Sequence, residues 1–151
     1  MAKIIAVCLS EKKGISKKAV EEIILKENHG VVGDAHADGT THRQVSLLAM
    51  ESIDKMRSKG FDFLKPGDFA ENITTEDIGL AALPVGARLK AGKDVLLEIT
   101  QIGKECHAAC AIRQQVGDCV MPREGVFAKV VQGGKIRAGD VILVTEVEHG
   151  K

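Results

Sequence analysis

The residues best suited to chemistry in this chain lie in the run Gly103-Lys104-Glu105-Cys106-His107-Ala108-Ala109-Cys110, with Cys119 following in Gly117-Asp118-Cys119-Val120. A thiol flanked by Lys104 and His107 can be held as thiolate near neutral pH, because neighbouring positive charge favours the anion. Such a thiolate attacks sulfur, carries a persulfide or ligates a soft metal. Cys106 is therefore the expected working residue, while Cys110 and Cys119 stand evenly between a packed and a working thiol. A structural zinc site would need paired ligands two to four residues apart in two knuckles, and Cys119 has no such second ligand nearby. Cys8, inside the apolar run Lys3 to Leu9, is read as a packed core thiol.

A second group, His36, Asp38, His42 and Arg43, lies in the Gly-, Asp- and His-rich stretch 29–43. Histidine and arginine on such a loop can bind an oxyanion through charge-assisted hydrogen bonds, while Gly33 and Gly39 allow close backbone approach. A third, Gly67-Asp68-Phe69-Ala70-Glu71-Asn72-Ile73-Thr74-Thr75, offers Asn72 and threonine hydroxyls either to a ligand or to a turn. The chain contains no G-x-G-x-x-G, G-x-x-x-x-G-K-S/T, G-x-S-x-G or H-E-x-x-H, so the common nucleotide, hydrolase and zinc-protease readings lose support.

These residues must be positioned by short strands. Lys3 to Leu9 is an apolar, partly β-branched run that suits a buried first strand. Ser10 to Ser16 reads as a turn. Ala19 to Leu25 fits strand or helix, and a strand is preferred. The spacing of Leu47, Met50, Ile53 and Met56 predicts a helix over about 46–58, with Ser46 as N-cap and Gly60 as stop. Asn72 to Thr75 is strand-like after the turn Lys65-Pro66-Gly67-Asp68. Gly86 and Gly139 each stand before a strand, as at barrel corners. Val95 to Ile102 is a strand running into the cysteine cluster, and Ala108 to Gln114 is read as one or two helical turns. Phe127 to Val131 and Val141 to Val147 supply closing strands. Five to eight strands with one main helix, not alternating with helices, predict a β-rich fold or barrel over a parallel α/β sheet.

At 151 residues the chain has the length of one domain, 1–151, burying about 70% of its unfolded surface. Lys+Arg and Asp+Glu balance at 21 each, which supplies no overall field for a polyanion. Trp and Tyr are absent and Phe occurs four times, so base-stacking platforms are nearly missing. Nucleic acid is thus not the expected partner. The apolar run before Glu11, Lys12 and Lys13 is too short for a signal-peptide core or a membrane span, so a cytoplasmic location without a membrane partner is expected.

Taken in order, the pieces resemble the MOSC domain, the module at the C-terminal end of molybdenum cofactor sulfurases. The resemblance is carried by Gly33-Asp34-x-His36, Arg43-Gln44-Val45, Gly67-x-Phe69-x-Glu71-Asn72-Ile73-Thr74, Val85-Gly86-Ala87-Arg88-Leu89, Gly125-Val126-Phe127-Ala128-Lys129-Val130 and Gly139-Asp140-Val141-Ile142. It implies a mainly β, MOSC-type barrel with a molybdenum-pterin cofactor at one mouth and a cysteine that ligates molybdenum or carries sulfur. By its place after Gln101-Ile102-Gly103-Lys104, that cysteine is Cys106, with Cys110 as the reserve candidate and second metal donor, Lys104 and His107 tuning the thiol, and His36, Arg43, Asn72 and Arg123 contacting the cofactor. Glu105 departs from the family, several members having proline there. The pyridoxal-phosphate label attached to the family finds no lysine in a suitable setting. The expected function is a molybdenum cofactor-binding or sulfur-carrier protein, with sulfur transfer or a cofactor-dependent activity as its chemistry. Its partners would be the cofactor and its biosynthetic or acceptor enzymes. A non-catalytic delivery module and a zinc-stabilised structural barrel are the alternatives.

Overall fold

A computed structural model describes residues 2–12, 17–35, 37–103 and 124–146. Eleven strands and one α-helix are found among them: β1 (Lys3–Leu9), β2 (Lys18–Val20), β3 (Glu22–Lys26), β4 (Gly30–Val31), β5 (Val45–Ala49), α1 (Met50–Ser58), β6 (Ile73–Glu76), β7 (Arg88–Ala91), β8 (Val95–Ile102), β9 (Val126–Gln132), β10 (Gly134–Arg137) and β11 (Ile142–Glu146). A single 3-10 turn, Leu80–Ala82, links β6 to β7.

Eight strands form one sheet in the order β11-β7-β8-β9-β5-β6-β1-β2, and β10-β3-β4 form a second. All pairings are antiparallel except β5 with β6, whose parallel register is bridged by α1. The antiparallel alternation shows in β8, where Val95, Leu97 and Ile99 are buried and their neighbours half-buried. Ile23, Leu25, Val31 and Ile136 of the small sheet pack against Ile4, Leu47, Ile73, Leu89, Leu97 and Ile99 of the large one. On the opposite face of the large sheet, Leu48, Ile53, Met56, Leu64, Phe69 and Phe127 form a second apolar cluster beneath α1.

The closed barrel expected from the sequence is not formed as a continuous ladder among the described residues. The large sheet ends at β11 and β2. Between β1 and the residues before β11 runs one bridge, Lys3 with Val141. Backbone bonds from Ile4 N to Asp140 O at 2.8 Å and from Gly139 N to Ile4 O at 2.7 Å accompany it.

The expected 46–58 helix is corrected at its start. Residues 45–49 are strand β5, the helix begins at Met50, and its N-cap is Ala49, without a side-chain cap. The reason is burial on both faces: Leu47 faces the inter-sheet core and Leu48 the cluster under α1. A strand between two neighbours can bury consecutive residues in this way. A one-faced helix cannot. The stop at Gly60 holds, with φ of 105°, a left-handed value that glycine adopts at little cost. The preferred strand reading of 19–25 also holds but is divided at Glu21 into β2 and β3, which join different sheets. The expected turns at Ala108 to Gln114, and part of the Ser10 to Ser16 turn, lie outside the described residues.

Candidate functional site

The strands that flank the cysteine-bearing residues 104–123 are tied to one another where those residues begin and end. Gly103, after β8, donates its N–H to the carbonyl of Gly125, before β9, at 2.6 Å. Glu124 is fixed to α1 by Ser52 Oγ at 2.7 Å and Lys55 Nζ at 2.8 Å. Residues 104–123, with Lys104, Cys106, His107, Cys110 and Arg123, lie outside the described residues, as does His36. What is described is the platform to which both ends of that segment attach.

On this platform one row of residues crosses three strands. Ser46 of β5 stands opposite Phe127 of β9, which stands opposite Gln101 of β8. Directly opposed residues share a face of the sheet, here the face that carries α1. The exposed guanidinium of Arg43 lies over the Phe127 ring, its Cζ 5.9 Å from the ring centroid, within cation–π range. A guanidinium stacked on an aromatic face keeps its N–H fork for an anion, in the geometry that suits phosphate or carboxylate.

The loop carrying Arg43 is tied down on both sides. Gln44, only 2% exposed, receives the Val130 N–H at Oε1 (3.0 Å) and donates from Nε2 to Asn28 Oδ1 and the Thr41 carbonyl. Thr100 Oγ1 donates to the His42 carbonyl at 2.6 Å, and His42 Nε2 meets Gln101 Oε1 at 2.7 Å. Within the loop, Asp38 Oδ1 accepts from the Thr40 N–H and hydroxyl.

Asn72 has a different place from the ligand contact expected of it. It is 1% exposed, and its carboxamide is used inside the fold: Oδ1 accepts from Ser46 N at 3.1 Å and Nδ2 donates to the Cys8 carbonyl at 3.1 Å. Asn72 thus joins β5 to β1 and holds Ser46, one residue along the row from Phe127. Asp34, expected in an exposed loop, is likewise internal. It forms a fully buried ion pair with Lys17 at 2.7 Å and accepts the Ser10 N–H at 3.0 Å.

Two buried ionisable groups, Glu71 of the third motif and Cys8 of β1, complete the electrostatics. Burial pushes the Glu71 carboxyl up to about 7, although the Thr74 hydroxyl bonded to its Oε2 and neighbouring backbone N–H groups pull it down. Burial, reinforced by nearby Glu71, pushes the Cys8 thiol up to about 12. Cys8 is therefore a protonated, inert thiol, as its apolar setting predicts. Gly67 closes over it with φ of 93°, in a position where a Cβ would meet the Lys17 carbonyl.

Sequence reasoning quoted Gln44 and Gln101 within motifs but gave neither them nor Thr100 a role at the site. Polar residues inside or beside apolar strands carry no signal of their own, and their importance comes from cross-strand partners far away in sequence. An open groove elsewhere is lined by Ala6, Lys18, Phe63, Lys65, Pro66 and Asp68 among others, and neither Arg43 nor Asn72 lines it. Among the described residues no group of three His, Cys, Asp or Glu side chains is placed to hold a metal ion. No helix among them is long and apolar enough to cross a membrane.

The family profile of the MOSC domain matches residues 34–143. No curated protein matches the sequence. Among solved structures, the YuaD protein from Bacillus subtilis is similar in fold, with a TM-score of 0.77 at 16% identity, covering 94% of each chain. YiiM from Geobacillus stearothermophilus aligns with a TM-score of 0.71 at 16% identity over 97% of this chain and 76% of its own. YiiM from Escherichia coli aligns with the same score and identity over 99% of this chain and 72% of its own.

Proposed function

Since the chain belongs to the MOSC domain family, we propose that it binds the molybdenum-pterin cofactor or carries its sulfur, with Cys106 as the working thiol. The observation that carries this reading is the shared anchorage at the β8–β9 end. The segment bearing Cys106 is pinned there by Gly103 and Gly125, and the Arg43 loop is pinned to the same strand end through His42, Thr100 and Gln101. Cys106 follows Gly103 by three residues, so chain connectivity alone keeps its Cα within about 11 Å of that anchor.

The donor chemistry fits the group. Cys106 and Cys110 are soft donors suited to molybdenum or sulfane sulfur, and Arg43 presents a guanidinium suited to the phosphate of a pterin cofactor. Lys104 and His107 are placed by sequence to favour the Cys106 thiolate, and His36 and Arg123 are further candidates for cofactor contact. When bound, the cofactor would supply a metal centre able to exchange sulfur or oxygen ligands. The protein's own part is to hold the anionic tail, keep the thiol ionised and fix the distance between the two. Asn72 supports this from beneath by holding β5.

The MOSC-type barrel belongs to the same reading, with the contacts between β1 and Val141 as its seam. So do a single domain over 1–151, a cytoplasmic location and partners among cofactor-synthesis or acceptor enzymes.

The test is elemental and sulfane-sulfur analysis of protein purified without oxygen, beside the C106S variant. Molybdenum or cyanide-labile sulfur in the parent and its loss in C106S is the expected result. Zinc alone, with unfolding on chelation, would replace this reading with a zinc-stabilised structural domain.

A further inference from the structure

We infer that Gln101 is a positioning residue, coupling the Arg43 loop to the strand end that leads to Cys106; this rests on the function proposed above. Two independent features carry it.

The first is a polarised relay. Gln101 Nε2 donates to the Gly103 carbonyl at 2.7 Å, and a carbonyl can only accept. That bond fixes the amide orientation, so Oε1 is the atom facing His42 at 2.7 Å. An amide oxygen also only accepts, so the shared proton belongs to His42 Nε2 and the relay runs in one direction, from His42 through Gln101 to Gly103. One side chain thereby links the residue beside Arg43 to the last described residue before the cysteine segment.

The second is a register shift that aims Gln101. Ile99 pairs with Ala128 and Gln101 with Phe127, which leaves Thr100 as an extra residue in β8. Up to Ile99 the odd-numbered residues of β8 face the inter-sheet core, and without the bulge Gln101 would continue that series. The bulge turns it to the face of Phe127 and Arg43 and lets Ile102 return to the core. It also frees Thr100 Oγ1 to reach the His42 carbonyl. This interruption of the ladder presents one glutamine both to the loop that carries Arg43 and to the carbonyl of Gly103, as a positioning role requires.

The experiment compares the full-length parent with Q101L, Q101E, H42L and H42Q. Site-resolved alkylation of Cys106 by iodoacetamide is followed across pH by peptide mass spectrometry, together with ¹⁵N NMR of the His42 ring and thermal unfolding. Q101L and H42L should slow Cys106 alkylation at neutral pH by about fivefold or more, the lower end of site coupling, and shift its pH midpoint, while leaving the melting temperature near the parent's. Q101E should fail with them, because it cannot donate to Gly103. H42Q should retain the parent profile, because its amide N–H replaces the Nε2 donor. An unchanged profile in Q101L, an H42Q variant as impaired as H42L, or a parent His42 lacking the Nε2 proton would overturn the inference and leave the functional reading standing. A parent whose Cys106 reacts like a free cysteine and carries neither molybdenum nor sulfane sulfur would overturn the functional reading, and the coupling with it.

Discussion

Glu71 and Cys8 are both buried and feel one another's charge, and each makes a measurable demand on pH. The Glu71 carboxyl ordinarily titrates at 4.5 and is raised to about 7 in the fold. Between those values the unfolded chain has released its proton while the native chain keeps it. This contribution to stability is therefore complete below about 4.5 and is lost as pH rises towards 7, by on the order of 3 kcal/mol. Denaturant titrations at pH 4.5 and 7.5 should show the fall, and E71Q should flatten it. With its pKa raised to about 12, Cys8 has a thiolate fraction at pH 8 of about one in ten thousand. Iodoacetamide should leave Cys8 unmodified in native protein and label it only after unfolding; native labelling at a free thiol's rate would show that the pocket opens. Asn72 makes a third residue-scale case. N72A leaves the Ser46 N–H and the Cys8 carbonyl without partners in a buried place, and should cost about 2–5 kcal/mol, read as a drop in denaturation midpoint.

The elements show why some of this could be read from the sequence and some could not. The apolar, β-branched runs at 3–9 and 95–102 made β1 and β8 legible, because a strand covered on its core face draws on such residues. The start of α1 was not legible: Leu47 and Met50 have helical spacing whether or not the chain between them is helical. Only the presence of β6 and β9 on either side of 45–49 decides for a strand. L48A, at the point where this strand meets the helix, should cost about 2–5 kcal/mol with little collapse of the cavity. The site divides in the same way. Arg43 was legible as an exposed cation on a polar loop, whereas the burial of Asp34 and Asn72 depends on Lys17, Ser46 and Cys8, partners that no local spacing indicates. Gln101 was hidden for a further reason, since the bulge at Thr100 breaks the periodicity by which its face would have been assigned.

For the whole molecule, the large sheet joins sequence-distant strands: β5 lies between β9 and β6, and β11 pairs with β7. The stretch 139–142 both feeds β11 and bonds to the start of β1. A chain ending at Asp140 would strip the outer edge of β7 and remove the Ile142 N–H bond to Ala2, and should lose cooperative unfolding in a denaturant titration. Such long-range pairing is slow to assemble, since loop closure precedes the contacts that reward it. The hydrogen bond between Gly103 and Gly125 has a different implication for the residues it brackets. Because Gly103 bonds directly to Gly125, β8 and β9 are closed to one another by their own backbone, so the frame on either side of 104–123 does not depend on what those residues carry. Substitutions at Cys106 or Cys110 should therefore change the chemistry and leave the stability of the frame near the parent's.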